Sequence, residues 1–247
     1  MNAIARIRSG VRLAAPLLAL VGVIATLPAE EADPRPWDGR LETMHEYAAP
    51  SSLGKTELMQ AAGDGDIAGA QALLASGAEV DARNANGGTA LMYAVSAGDT
   101  AMAHLLLEAG ADPNARARIG WTPMLVAGAK GRHAVIPILL EAGADPAETD
   151  AYGWTPLMRA VSGGYLLAVD AILASGRADL HAREESGATA LHIAAGRGYA
   201  PIVRRLLEAG AEPDAADGEG RTPADVARLQ GHAEAEALLR TRGRRPG

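Results

Sequence analysis

The sequence predicts an all-α repeat fold, a solenoid of stacked helix-turn-helix units joined by extended fingers. Its period is the first observation: Thr56, Thr89, Thr122, Thr155, Thr189 and Thr222 follow one another at intervals of 33, 33, 33, 34 and 33 residues. A repeat of that length is one supersecondary unit that cannot bury its apolar face alone and must be covered by its neighbours. Composition is the second: the chain is 48% hydrophobic, yet aromatics make up 3% and Phe is absent. A core of Ala, Leu, Ile, Val and Met suits thin layers of small helices, where a thick globule would draw on aromatic side chains.

From the N-terminus, residues 1–29 stand apart. Arg6, Arg8 and Arg12 precede an apolar run from Leu13 to Leu27, and Leu27-Pro28-Ala29 gives way abruptly to Glu30, Glu31 and Asp33. This is the pattern of a secretory signal peptide cleaved after Ala29. The alternative is an uncleaved anchor in the inner membrane, although the run falls short of the ~20 residues that span a bilayer. With no Arg-Arg pair in residues 1–29, the general secretory route is expected over the twin-arginine one. The location expected is thus periplasmic or secreted. Removal of the leader leaves 20 basic against 30 acidic residues, a net charge of −10. That balance disfavours nucleic acid and, beyond the signal segment, anionic membrane as partners. Cysteine is absent, which excludes disulfides, thiolate metal sites and a cysteine nucleophile.

Residues 30–51 read as a polar linker whose Leu41, Met44 and Tyr47 share one side of a short helix, with Trp37 before them. They are suited either to fold over the exposed end of the first repeat or to remain a loose connection. Six units follow, at residues 52–83, 84–116, 117–149, 150–183, 184–216 and 217–240. Thr122-Pro123, Thr155-Pro156 and Thr222-Pro223 start first helices, the hydroxyl capping free N–H groups and the proline sitting where its missing donor costs nothing. Gly65, Gly98, Gly131, Gly164 and Gly198 break those helices. Second helices are predicted over 68–75, 101–108, 134–141, 167–174 and 201–208, each closed by a glycine from Gly77 to Gly210. Asp112-Pro113, Asp145-Pro146 and Glu212-Pro213 then extend the backbone into a finger. Pro137 falls about four residues into a second helix, and an extra residue near Arg177-Ala178-Asp179 predicts a bulge. Residues 241–247, with Arg242, Arg244 and Arg245, read as a basic disordered tail.

Three stretches, Gly153-Trp154-Thr155-Pro156-Leu157, Thr189-Ala190-Leu191-His192-Ile193-Ala194-Ala195 and Leu206-Leu207-Glu208-Ala209-Gly210-Ala211, resemble the ankyrin repeat signature. The resemblance extends over about residues 52–240 and rests on the period, the glycines and the Thr-Pro pairs together. It implies an L-shaped stack of antiparallel helix pairs with β-hairpin fingers at right angles. It also implies a concave face, lined by fingers and first helices, that binds other proteins. Where the family commonly places a histidine after Thr-Pro-Leu, this chain has Met59, Met92, Leu125, Met158, His192 and Asp225. His192 is accordingly read as a structural hydrogen-bonding residue and the methionines as core filler.

Candidate chemistry is sparse. The six histidines lie on different units with no helical pairing, so no metal site is expected; no cofactor is expected either. No serine stands in a Gly-x-Ser-x-Gly elbow, and paired carboxylates such as Glu184-Glu185 fall on finger tips. An enzyme is not indicated. Trp121 and Trp154 instead occupy one slot in adjacent units, between the finger glycine and the threonine, where the family resemblance points the side chain outward. Ile119 and Tyr152 lie two residues earlier, with Arg118 beside them. Exposed, such a cluster has the composition of an interface hot spot, and alanine at both tryptophans is expected to weaken binding without altering stability. On the other reading each indole lies flat on its finger and stiffens it. Tyr93, Lys130, Arg159 and Arg197 are expected in the same trough, among small residues such as Ser96, Ala129, Ser162 and Gly163.

The function expected is that of a monomeric, non-catalytic module presenting its concave surface to a protein partner in the bacterial cell envelope. Two other readings remain: a secreted effector or toxin-neutralising protein, and an accessory to a periplasmic stress-protection enzyme.

Overall fold

The structure, a computed structural model, describes residues 54–243. They belong to the larger of the chain's two units, Gly39–Gly247. The expected leader, the linker with Trp37, Leu41, Met44 and Tyr47, and the last residues of the tail lie outside them. Twelve α-helices form six pairs among the described residues: α1 Glu57–Asp64 with α2 Ile67–Ala75, α3 Ala90–Ala97 with α4 Thr100–Glu108, α5 Pro123–Ala129 with α6 Ile136–Glu141, α7 Pro156–Ser162 with α8 Leu166–Ala174, α9 Ala190–Gly196 with α10 Ala200–Glu208, and α11 Pro223–Leu229 with α12 Ala233–Gly243. Each helix packs on its own partner and on the equivalent helix of the next unit. This is the helical solenoid that the period predicts.

Local chemistry starts and stops each helix. The hydroxyls of Thr56, Thr122, Thr155 and Thr222 accept from the N–H three residues on, at 3.2–3.3 Å. Such a cap stabilises by about 1 kcal/mol. Asp66 and Asp99 cap α2 and α4 in the same way. The glycines that end the helices take the left-handed conformation, for example Gly65 at φ 74° and Gly77 at φ 91°. Second helices end where predicted, but four begin one residue early. The third begins two residues late, because Pro137 can donate no N–H and so falls in the first turn of α6. The helix over the expected tail runs on to Gly243.

The two layers are buried differently. In α7 every residue from Pro156 to Ser162 is buried, whereas α4 buries a single stripe, Met102, Ala103 and Leu106. First helices are thus sandwiched between neighbours and second helices form the outer wall. Met59, Met92 and Met158 are 0%, 3% and 1% exposed and fill this core. Gly128 sits where α5 and α7 approach most closely: a Cβ there would stand 2.4 Å from the Pro156 carbonyl oxygen.

The fingers carry hairpin turns without strands among the described residues. In each, one residue pairs with the backbone four positions on, as Asn84 N–H does with the Gly88 carbonyl at 3.0 Å and Asp150 N–H with the Trp154 carbonyl at 3.1 Å. Adjacent turns are then joined edge to edge: Arg118 N–H donates to the Asn86 carbonyl, Ala151 to Ile119, Glu185 to Tyr152 and Gly218 to Ser186. Side chains reinforce the joints, as Arg83 Nη1 does on the Arg116 carbonyl 33 residues away, at 2.6 Å. With no strand ladder among the described residues, the extra residue near Asp179 makes no β-bulge. A bend takes it up, the Asp179 carboxylate accepting from the N–H groups of His181 and Ala182 at 2.8 and 3.0 Å.

Candidate functional site

Four of the finger tips are shaped by one side chain each. Asn84 Oδ1 accepts from the N–H groups of Asn86 and Gly88, Asp150 Oδ1 from Tyr152 and Trp154, Glu184 Oε1 from Ser186 and Ala188, and Asp217 Oδ1 from Glu219 and Arg221, all at 2.8–3.1 Å. An acceptor there holds the turn in one shape. The third unit has Ala117 at this position and no such acceptor. Its turn, Arg118–Gly120, is a short 3-10 element in which Ile119 has φ 56°. Among the described residues Ile119 is the one non-glycine at positive φ, a conformation that costs a β-branched residue of order 1–2 kcal/mol.

The outward projection expected of Trp121 and Trp154 is corrected by the structure: the indoles are 4% and 5% exposed. They do flank a common spot, but Arg159 fills it. Its guanidinium carbon lies 5.0 Å from the Trp121 ring centroid and 4.6 Å from that of Trp154. The Asp150 carboxylate bonds the same guanidinium while holding the finger turn through its other oxygen. A cation between two π-faces, neutralised by a buried carboxylate, is a brace between the fingers of the third and fourth units. Trp121 Nε1 is buried without a hydrogen-bond partner among the described residues, the polar atom left over from that packing.

The remaining predicted residues divide by exposure. Arg118 is exposed, and Ile119, Tyr152, Lys130 and Arg197 are half-exposed, along the fingers and the ends of the first helices. Arg159 and Tyr93 are buried. Tyr93 repeats the Arg159 arrangement in the second unit, its hydroxyl accepting from the Asn84 amide at 3.1 Å and its ring lying 4.8 Å from Lys55 Nζ. Burial pushes the Tyr93 phenol up, against the opposing effect of Asn84. Asp150 and the strain at Ile119 escaped sequence reasoning. The nine-residue spacing shared by Asn84–Tyr93 and Asp150–Arg159 is the signal that leads to the first.

His192 is buried, 2% exposed. Its Nδ1 accepts from the Thr189 N–H at 3.2 Å, so Nε2 carries the proton and donates to the Arg221 carbonyl at 3.0 Å, tying the fifth unit to the sixth. Burial holds its pKa below the ordinary value despite that carbonyl and the nearby Asp217. Among the described residues no three His, Asp or Glu side chains are grouped to hold a metal. No helix among them is long and apolar enough to cross a membrane.

A rigid stack of helix pairs with braced fingers defines a binding scaffold, its chemistry spent on shape. Comparison with known proteins agrees. The family model for ankyrin repeats in three copies matches residues 38–117 and 116–184, and that for many copies matches residues 172–227. The crystal structure of an ankyrin repeat domain from Acinetobacter baumannii AYE superposes with a TM-score of 0.69 at 40% identity, covering 75% of this chain and 97% of that one. Protein phosphatase 1 regulatory subunit 27 of Mus musculus is 49% identical over 49 residues, 20% of this chain and 32% of its own length. Tyrosine-protein kinase HTK16 of Hydra vulgaris is 43% identical over 67 residues, 27% of this chain and 9% of its own. The chain thus spans a third or less of these curated relatives. It belongs to the ankyrin repeat family, whose members generally mediate protein–protein interaction.

Proposed function

We propose that the chain is a non-catalytic scaffold that holds a protein partner in the bacterial cell envelope. The brace of Trp121, Arg159 and Trp154 is the observation that carries this reading. A buried cation–π stack between neighbouring fingers fixes Arg118, Ile119 and Tyr152 at their tips before any partner arrives. Preorganisation of this kind lowers the entropic cost of association. The buried tryptophans and Arg159 therefore support the contact, and Arg118, Ile119 and Tyr152 make it, with Lys130 and Arg197 on the adjoining floor. The charged leader and apolar run of residues 1–29 support the envelope location.

The test is affinity capture from a periplasmic fraction at moderate salt, followed by titration of the captured partner. Arg118→Glu combined with Tyr152→Ala should weaken it by at least about 2 kcal/mol, the scale of a hot spot, with the thermal midpoint unchanged. Undiminished affinity in that double variant would remove the fingers from the interface.

A further inference from the structure

At the turn inside each unit, the residue after the glycine leans on the turn of the unit before. A Cβ built on Gly98, Gly131, Gly164 or Gly198 would stand 3.0 Å from Arg132, 2.6 Å from Tyr165, 3.1 Å from Tyr199 and 2.5 Å from His232, respectively. These four side chains therefore form a continuous column over the third to sixth units. Hydrogen bonds seat its ends: Arg132 Nε donates to the Ser96 carbonyl at 3.0 Å, and His232 Nε2 lies 3.1 Å from that of Gly196. The same positions in the first two units are Asp66 and Asp99. The column thus changes from acidic to cationic and aromatic at the third unit.

The floor beside it changes likewise. The first helices α3, α5, α7 and α9 contain no Asp or Glu, in a chain of net charge −7. Lys130 follows α5 and Arg197 follows α9 in the same register, two units apart. Arg132 is exposed, and Lys130, Tyr165 and Tyr199 are half-exposed. Neither Lys130 nor Arg132 enters an ion pair among the described residues.

We propose that this column docks an extended acidic segment of a partner protein, an inference that rests on the binding-scaffold reading and gives the partner its chemistry. Stacked helices lie about 10 Å apart, and an extended chain advances about 3.3 Å per residue. A carboxylate at every third residue therefore meets one unit after another, finding Lys130 with Arg132 in the third unit and the hydroxyl donors of Tyr165 and Tyr199 in the fourth and fifth. A polynucleotide is a poorer match, because its phosphates are denser than these cations and the acidic remainder of the surface repels it.

The probe is a fluorescein-labelled (Glu-Gly-Ser)5 peptide, followed by fluorescence anisotropy against the purified protein at 50 mM and 300 mM salt. Labelled (Lys-Gly-Ser)5 and a 15-nucleotide oligothymidylate serve as comparisons. The glutamate peptide should bind more tightly than either and weaken at the higher salt. Lys130→Glu and Arg132→Glu should each weaken it at least about tenfold, while Arg204→Glu, the same charge change at an exposed position of α10, leaves it unchanged. Lys130 makes no side-chain bond among the described residues, so its variant should keep the parent's circular dichroism and thermal midpoint. No binding, equal binding by a folded Lys130→Glu protein, or tighter binding of the oligothymidylate would each overturn the proposal. If the captured natural partner still requires Arg118 and Tyr152 while the peptide does not bind, the acidic docking column fails and the finger interface stands.

Discussion

Arg159 shows what one residue contributes when its neighbours are considered with it. In isolation a buried arginine is a liability, since desolvating a charge costs several kcal/mol. Here the cost is offset three ways, by the faces of Trp121 and Trp154 and by the Asp150 carboxylate, whose side chain has no solvent exposure. Removing any member leaves the others exposed to the loss. Arg159→Met strands a buried carboxylate and should cost about 3–5 kcal/mol in urea unfolding. Trp154→Ala opens a cavity beside the guanidinium and should cost a similar amount. This reverses the outcome expected from the sequence alone, in which alanine at the tryptophans spared stability. A loss below about 1 kcal/mol in both variants would mean that the brace is marginal. The indole direction was illegible in the sequence because it depends on what fills the gap between fingers. Arg159 lies only five residues beyond Trp154 but 38 beyond Trp121, and nothing in their spacing announces the contact.

Among the elements, the finger of the third unit is the exception that the other four define. Four turns are held by a side-chain acceptor at their first position; Ala117 offers none, and Ile119 bears a left-handed backbone. Glycine at 119 would relieve about 1–2 kcal/mol of strain while adding about 0.5–1 kcal/mol of unfolded-chain entropy. With about 1 kcal/mol of burial lost from a side chain packed on the core, Ile119→Gly should leave stability within about 1 kcal/mol of the parent in urea melts, a small effect for removing a half-buried isoleucine. A destabilisation above 1 kcal/mol would show that its packing outweighs the strain. Elements were otherwise legible at this scale for a definite reason. The Thr caps and glycine breaks act through bonds spanning three to five residues, so spacing along the chain reports them directly. The absence of strands among the described residues was less legible, because a finger tip needs only one turn and one bond to its neighbour. The family resemblance supplied hairpins that this geometry does not require.

Across the stack, stability is a sum of interfaces between neighbours, so the weakest interface opens first. The junction between the fifth and sixth units depends on His192, and its chemistry ties that junction to pH. Burial holds the imidazole's pKa below its ordinary value of about 6.5. In the unfolded chain the ring takes up a proton as pH falls through about 6.5, while in the folded chain it resists. The unfolded state then binds more protons, and stability declines with falling pH until the folded pKa is passed. Protonation of Nδ1 also removes the acceptor for the Thr189 N–H. Asp217 and Asp225 in the sixth unit act lower down. Burial pushes the Asp217 carboxyl up, but bonds from Arg221 and Glu219 prevail and hold it below the usual carboxylate range. The hydroxyl and N–H of Thr222 hold Asp225 below it as well. Both contribute stability above pH ~4 and lose it as pH falls through their folded values. Acid should therefore release the sixth unit before the middle of the stack. Hydrogen exchange, corrected for intrinsic rate, should show amides of α11 and its C-cap, such as Val226 and Gln230, losing protection between pH 7 and 5 while those of α7 keep theirs. His192→Gln should abolish the difference between those two pH values. Loss of protection in α7 and α11 together would mean that the stack unfolds as one cooperative body, with the histidine junction no weaker than the rest.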